Sequence, residues 1–140
     1  MGEIPGLVTL FASNNQLTGS IPSFSGNQGK LQAVNLSQNK LKGNLDDFFS
    51  ANGPVRRLLT VDVGSNDITG AIPTTIGLYD SLTDLVLKGN QIEDVVPTEI
   101  GLLVNLDTLS LSNCQLEGTI PEELGHLTRM LYLDLGRNSL

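Results

Sequence analysis

Residues Leu106–Arg129 read LDTLSLSNCQLEGTIPEELGHLTR, and their first eleven positions set the organisation of the whole chain. Apolar side chains fall at Leu106, Leu109, Leu111 and Leu116. Leu109 and Leu111 stand two apart, the period of a β-strand, so both point to one face and Ser110 between them points to the other. The same pattern, apolar-x-x-apolar-x-apolar-x-x-Asn-x-apolar, recurs in LVTLFASNNQL from Leu7, LQAVNLSQNKL from Leu31, LLTVDVGSNDI from Leu58, LTDLVLKGNQI from Leu82 and MLYLDLGRNSL from Met130. Its asparagine slot holds Asn15, Asn39, Asn66, Asn90, Cys114 and Asn138, at spacings of 24, 27, 24, 24 and 24 residues. A period of this length marks a repeat architecture in which each unit buries its apolar face against its neighbours.

A second half follows at fixed offset. The pattern x-Gly-x-Ile-Pro closes Leu17–Pro22, Ile68–Pro73 and Leu116–Pro121, while the fourth unit keeps only the proline in Ile92-Glu93-Asp94-Val95-Val96-Pro97. The second unit keeps Gly43 and has Asp46 where proline would stand. Four residues after each proline comes a glycine, at Gly26, Gly77, Gly101 and Gly125. Stacked strands of this kind pair in parallel, and a parallel pair needs a crossover of a dozen or more residues, which the rest of each unit supplies. The asparagine turns the chain, and its buried amide bonds backbone groups that the turn leaves unpaired.

The unit resembles LxxLxLxxNxLxGxIPxxLGxLxx, the 24-residue repeat of plant-type leucine-rich repeat proteins, over essentially all of residues 7–140. The resemblance implies an α/β solenoid: a right-handed superhelix with a short parallel β-sheet on its concave face and loops with short helical or 3-10 turns on its convex face. It predicts a single domain, 1–140, of about six coils starting near 7, 31, 58, 82, 106 and 130, the last incomplete. Proteins of this kind include receptor-like kinase and receptor-like protein ectodomains, polygalacturonase-inhibitor-like proteins and repeat proteins of algae such as diatoms. The implied function is non-catalytic binding of a protein or peptide, in an extracellular or cell-surface setting. An intracellular scaffold, or the ectodomain of a receptor kinase whose catalytic part lies outside these residues, stays open beside it.

Composition narrows the alternatives. The 140 residues include 25 Leu, 12 Asn and 15 Gly against six aromatics, one Cys and one His. A single cysteine makes no intramolecular disulfide, and one cysteine with one histidine nearly excludes a Cys/His zinc site. With 8 basic against 15 acidic residues the net charge is −7, which disfavours a nucleic-acid partner. No apolar run is long enough for a membrane span, and no basic start followed by an apolar stretch reads as a signal peptide. No cofactor is implied. Met1–Gly6 holds an Ile-Pro like the tail of a preceding unit, and Leu140 falls just before the expected Gly and Ile-Pro. Neither end carries a polar cap, so the chain is expected to be a piece of a longer array.

Outward positions of the strands supply the candidate site. The column between the inward pairs reads Phe11, Asn35, Asp62, Val86, Ser110 and Asp134; the column two residues earlier reads Thr9, Ala33, Thr60, Asp84, Thr108 and Tyr132. Two further columns hold Ser13, Ser37, Gly64, Lys88, Ser112 and Gly136, then Asn14, Gln38, Ser65, Gly89, Asn113 and Arg137. The candidate binding residues are therefore Asp62, Asp84, Val86, Lys88, Ser110, Tyr132, Asp134 and Arg137. The face is mildly acidic, which suits a peptide or protein with some positive charge. A plain solvated face is the competing reading, because binding hot spots favour Trp, Tyr and Arg, and these are few here. One sequon, Asn35-Leu36-Ser37, is a possible N-glycosylation site on the same face.

The three-residue insertion lies in LDDFFSANGPVRRLL. Leu45, Phe48 and Phe49 follow i, i+3, i+4 spacing, which predicts a helical turn facing the core. Asn52-Gly53-Pro54 turns the chain, and Arg56-Arg57 is either a lateral contact for an acidic partner or a solvated pair on the convex side. His126 is expected on the convex surface. Cys114 in the asparagine slot is expected to be buried and inert, since reactive thiols need exposure and a lowered pKa. Glu122-Glu123 and Asp46-Asp47 are merely adjacent carboxylates, which gives no acid/base geometry. No catalytic residue and no metal ligand follow from the sequence.

Overall fold

Apolar side chains at alternate strand positions need a common interior, and the chain provides it by coiling. The computed structural model describes residues 4–24, 29–50 and 57–140. Gly26, the turn at Asn52-Gly53-Pro54 and Arg56 therefore lie outside the described residues. Six three-residue strands, β1 (Thr9–Phe11), β3 (Ala33–Asn35), β5 (Thr60–Asp62), β7 (Asp84–Val86), β9 (Thr108–Ser110) and β11 (Tyr132–Asp134), make one sheet in sequential order. Every neighbouring pair is parallel and in register by template position, Thr60 beside Asp84 beside Thr108 beside Tyr132. Between them lie β2 (Thr18–Ser20), β4 (Lys40–Lys42), β6 (Thr69–Gly70), β8 (Gln91–Asp94) and β10 (Gln115–Leu116). These form two further parallel sheets, β2-β4 and β6-β8-β10. The architecture is a leucine-rich repeat solenoid, as the repeat predicts. No helix among the described residues is long and apolar enough to cross a membrane.

Inward side chains fill the solenoid in columns. Leu85, Leu87, Leu109 and Leu111 are fully buried, as are Val61, Val63, Ile68 and Ile92. Burial of each such side chain stabilises the fold by about 2 kcal/mol. Leu133 holds the template position of Leu85 and Leu109 yet is 48% exposed, because β11 has a neighbour on one side only.

On the convex side, 3-10 turns span Thr74–Leu78, Thr98–Leu102 and Glu122–His126, each entered from a proline whose φ of −71°, −70° or −61° is already suited to the turn. Two of the glycines four residues on, Gly77 and Gly101, have a packing reason. A Cβ on Gly101 would lie 2.6 Å from both Cβ and O of Glu123, and one on Gly77 would lie 2.9 Å from Cδ1 of Leu102. Consecutive turns thus approach until only a hydrogen atom fits between them.

The second coil solves the convex layer differently. Phe49 N–H donates to the Leu45 carbonyl at 2.9 Å, which closes one helical turn, and Leu45, Phe48 and Phe49 are all buried. Phe24, Phe48, Phe49 and Tyr79 follow one another edge-to-face with centroids 5.5, 4.8 and 5.1 Å apart. Such pairs add stabilisation beyond their buried area. The Tyr79 hydroxyl donates to the Phe48 and Ser50 carbonyls, so the buried ring keeps a partner for its polar tip.

The glycine before Ile-Pro is a backbone requirement. Gly19, Gly43, Gly70 and Gly118 have φ between +79° and +93°. Asp94 takes that slot in the fourth coil with φ +72°, held by a hydrogen bond from Val95 N–H to its own carboxylate. An L-residue costs about 1–2 kcal/mol in this region, partly recovered by such local bonding. Asp94→Gly is expected to stabilise the protein by ~0.5 kcal/mol, since glycine's own entropy cost offsets much of the relief. Urea midpoints of the two proteins check this.

Candidate functional site

Strand geometry turns eight candidate positions into a surface. Outward residues repeat every second position along a strand and every strand across the sheet, so β7, β9 and β11 make a grid. Asp84, Thr108 and Tyr132 form one row, and Val86, Ser110 and Asp134 form the next. Asp62 continues the second row beside Val86 on β5. Lys88 follows β7 and lies against Gly64, where a Cβ would meet its Cγ at 3.3 Å. Seven of the eight predicted residues are thereby brought together. Arg137 is not on a strand: it occupies the exposed turn before Asn138 with φ +56°.

Two of the expected roles need correction. Ser110 was expected to be presented to solvent; it is on the outward face, but only 3% exposed, and its hydroxyl has no hydrogen-bond partner among the described residues. Its small side chain sits between Val86 and Asp134, whose larger groups overshadow it. Ser110 is therefore the floor of a shallow recess over β9, here termed the trough, between the outward side chains of β7 and those of β11. The carboxylates, in turn, are partly engaged in the fold. Asp62 accepts a hydrogen bond from Gly64 N–H at 3.0 Å and Asp134 one from Gly136 N–H at 3.1 Å. Asn35 does the same for Ser37 N–H, and also accepts from the Ser37 hydroxyl. These Asx turns close the strand end. The recurrence of Asn or Asp two residues before Ser or Gly was the sequence signal for them.

The two carboxylates that flank β9 are held by different hydrogen bonds. The Ser112 hydroxyl and the Gly136 N–H, aided by Tyr132 and the charge of Lys88, hold the Asp134 carboxyl below its ordinary value of 3.8. Asp84 accepts from the Thr83 hydroxyl at 2.8 Å and the Thr60 hydroxyl at 3.3 Å, both through one oxygen. Tyr132 is 53% exposed, and its hydroxyl reaches Asp134 at 3.5 Å. Neither Lys88 nor Arg137 forms an ion pair among the described residues; Arg129 pairs with Asp107, the residue just before β9, at 3.2 Å.

Behind the face runs an amide ladder. Asn66 Nδ2 donates to the Leu36 and Val63 carbonyls, and Asn90 Nδ2 to those of Val63 and Leu87, so each asparagine joins its own coil to the one before. Each side-chain carbonyl accepts a backbone N–H of that preceding coil, from Leu41 and Ile68 respectively. Asn39 and Asn138 repeat the pattern with Ala12, Leu36 and Leu17, and with Leu111, Leu135 and Leu116. Asn15 departs from the expectation of a buried amide: it is exposed and its side chain bonds the Ala12 and Ser13 carbonyls of its own coil, because no strand precedes β1 in the sheet among the described residues.

Cys114, expected to be buried, is half-buried. Its sulfur lies 3.7 Å from the Leu87 and Ser112 carbonyls, a weak substitute for an amide. Burial pushes the thiol above its ordinary value of 9.0 against weaker opposing contacts with backbone at Asn90, Gly89 and Ile92. Cys114→Asn places a carboxamide where the ladder lacks one, and is expected to raise stability by ~1–2 kcal/mol in urea melts. His126 is exposed on the convex side, on the far side of the core from the trough.

The last of the outward columns shares a backbone conformation that the sequence does not show. The residue before each asparagine slot is left-handed in every coil: Asn14, Gln38, Ser65, Asn113 and Arg137 have φ of +54° to +56°, and Gly89 has +68°. The identities are too varied to announce a shared conformation.

Comparison with known proteins agrees with this geometry. Residues 6–28 and 105–127 match the Leucine Rich Repeat family model. Receptor-like protein 35 of Arabidopsis thaliana is 37% identical over 81 residues, which are 58% of this chain and 8% of that protein. The plant peptide hormone receptor RGFR1, solved in complex with RGF2, superposes with a TM-score of 0.92 at 37% identity, over 99% of this chain and 22% of that one. The Arabidopsis thaliana BIR3–SERK2 complex gives a TM-score of 0.79 at 30% identity, over 95% of this chain and 68% of the matched one.

Proposed function

We propose that this chain, which belongs to the plant-type leucine-rich repeat proteins, is a non-catalytic recognition module that binds a protein or peptide on its concave face. The observation that carries this reading is a division of labour along each strand. In the four inner strands the inward positions are aliphatic and buried, while the outward positions change chemistry from coil to coil across one continuous sheet. A scaffold alone has no use for such variety. Similarity to receptor-like protein 35 and to a receptor solved with its peptide hormone supports a receptor-like role at the cell surface or outside the cell. The raised Cys114 pKa and the position of His126 speak for recognition rather than catalysis. A net charge of −7 speaks against a nucleic-acid partner.

The test is selection of a random linear peptide library on phage against immobilised 1–140, with binders mapped by amide shifts in 1H–15N spectra. Binders that shift the β7, β9 and β11 amides support the module. Absence of any binder after repeated selection removes this reading. Secretion from a eukaryotic host supplies a second check, because Asn35 stands on an accessible face. The secreted protein is expected to lose mass on treatment with an N-glycanase, and Ser37→Ala to abolish the difference.

A further inference from the structure

The trough over β9 has features that a solvated sheet face does not need. Its floor is Ser110, 3% exposed and facing the concave side, with a hydroxyl that has no partner among the described residues. The inward neighbours Leu109 and Leu111 are fully buried, so strand alternation fixes this orientation. The walls, β7 and β11, are each one strand away from β9 and thus roughly 10 Å apart. Asp84 stands on one wall and Asp134 diagonally across on the other, with Tyr132 directly opposite Asp84.

We propose that this trough takes one arginine or lysine side chain of an extended peptide, its cation held between the Asp84 and Asp134 carboxylates and its stem laid along the Tyr132 ring. The inference rests on the recognition-module reading and names the chemistry of its ligand. Charge complementarity selects the occupant. Asp134 carries three bonds that keep it ionised, and Asp84 has one oxygen engaged by threonine hydroxyls and the other without a side-chain partner among the described residues. At the diagonal, roughly 12 Å between backbones, two aspartate side chains and one guanidinium span the gap. Guanidinium donors suit paired carboxylates, and a half-exposed tyrosine ring attracts a cation over its face. Lys88 follows Val86 on the β7 side, its stem against Gly64 and its charge already favouring ionised Asp134, and it sets the direction: an acidic or C-terminal group of the same peptide fits beside it.

The same phage selection tests this, read for composition. Expected is a pool with Arg or Lys at one fixed position, and a synthetic member of it that loses at least tenfold in affinity when that residue becomes citrulline or norleucine. Asp84→Asn and Asp134→Asn should each weaken that peptide about tenfold. The fold tolerates the second change, because Asn35 already makes the equivalent turn in the second coil. Glu93→Gln on the lateral face should leave affinity unchanged, which separates a built site from general attraction to an acidic protein. Peptides that shift the β9 amides yet carry no basic residue would overturn the inference while leaving the module reading intact. A basic pool indifferent to both aspartate changes, or equally sensitive to Glu93→Gln, would overturn it too. Failure to select any peptide removes the module reading and this inference with it.

Discussion

Gly101→Ala is expected to cost ~3 kcal/mol and to lower the melting temperature by roughly 10 °C. The added methyl meets Glu123 at its Cβ and carbonyl oxygen, both 2.6 Å away, so backbone as well as side chain must yield. The 3-10 turns Thr98–Leu102 and Glu122–His126 would have to move apart, opening the buried layer that Ile100 and Leu103 fill beneath them. Gly125 occupies the same template position one coil later and has nothing within 4 Å of such a methyl. Gly125→Ala is therefore the control, expected to be neutral or slightly stabilising through reduced unfolded-state entropy. Equal urea midpoints for the two variants would show that close approach of the turns is not what these glycines serve.

Asn90→Ala ranks next, at ~2–3 kcal/mol. The side chain is 6% exposed and makes bonds to the Val63 and Leu87 carbonyls and from Ile68 N–H. Val63 retains its bond from Asn66, whereas among the described residues the Leu87 carbonyl keeps the distant Cys114 sulfur alone and Ile68 N–H loses the asparagine oxygen. Buried polar groups stranded in this way carry their full desolvation cost. Asn15→Ala removes the same residue type from the same template slot at an exposed site and is expected to change stability by less than about 0.5 kcal/mol. Denaturant midpoints for the pair measure the buried ladder against its local part.

How much of this was legible in the sequence follows from which forces act within one repeat. The inward pairs Leu85/Leu87 and Leu109/Leu111 and the asparagine column are dictated by the coil's own geometry, so periodicity alone reveals them. The burial of Ser110 depends on Val86 and Asp134, which are 24 residues away on either side, and no single repeat encodes it. The same holds for Gly101, whose recurrence is visible but whose reason is Glu123 in the next coil. The left-handed turn at Gln38, Ser65 and Arg137 is imposed by the backbone path whatever the side chain, so it leaves no compositional mark. Asp62, Asp84 and Asp134 were found as acidic outward residues. That two of them also brace their own turns appears only when the N–H groups of Gly64 and Gly136 are placed.

The interruption of the amide ladder at Cys114 bears on how the array comes apart. A solenoid behaves as a one-dimensional chain of nearest-neighbour couplings, and it unzips where coupling is poorest. Asparagine links join the first coil to the second, the second to the third, the third to the fourth and the fifth to the sixth. The junction of the fourth and fifth coils has a thiol at 3.7 Å instead, and depends more heavily on the Gly101–Glu123 approach across the convex side. That junction lies under the trough, between β7 and β9. The proposed binding face is thus laid over the joint at which the spring is expected to open first, and an occupant that grips both sides would act as a splint.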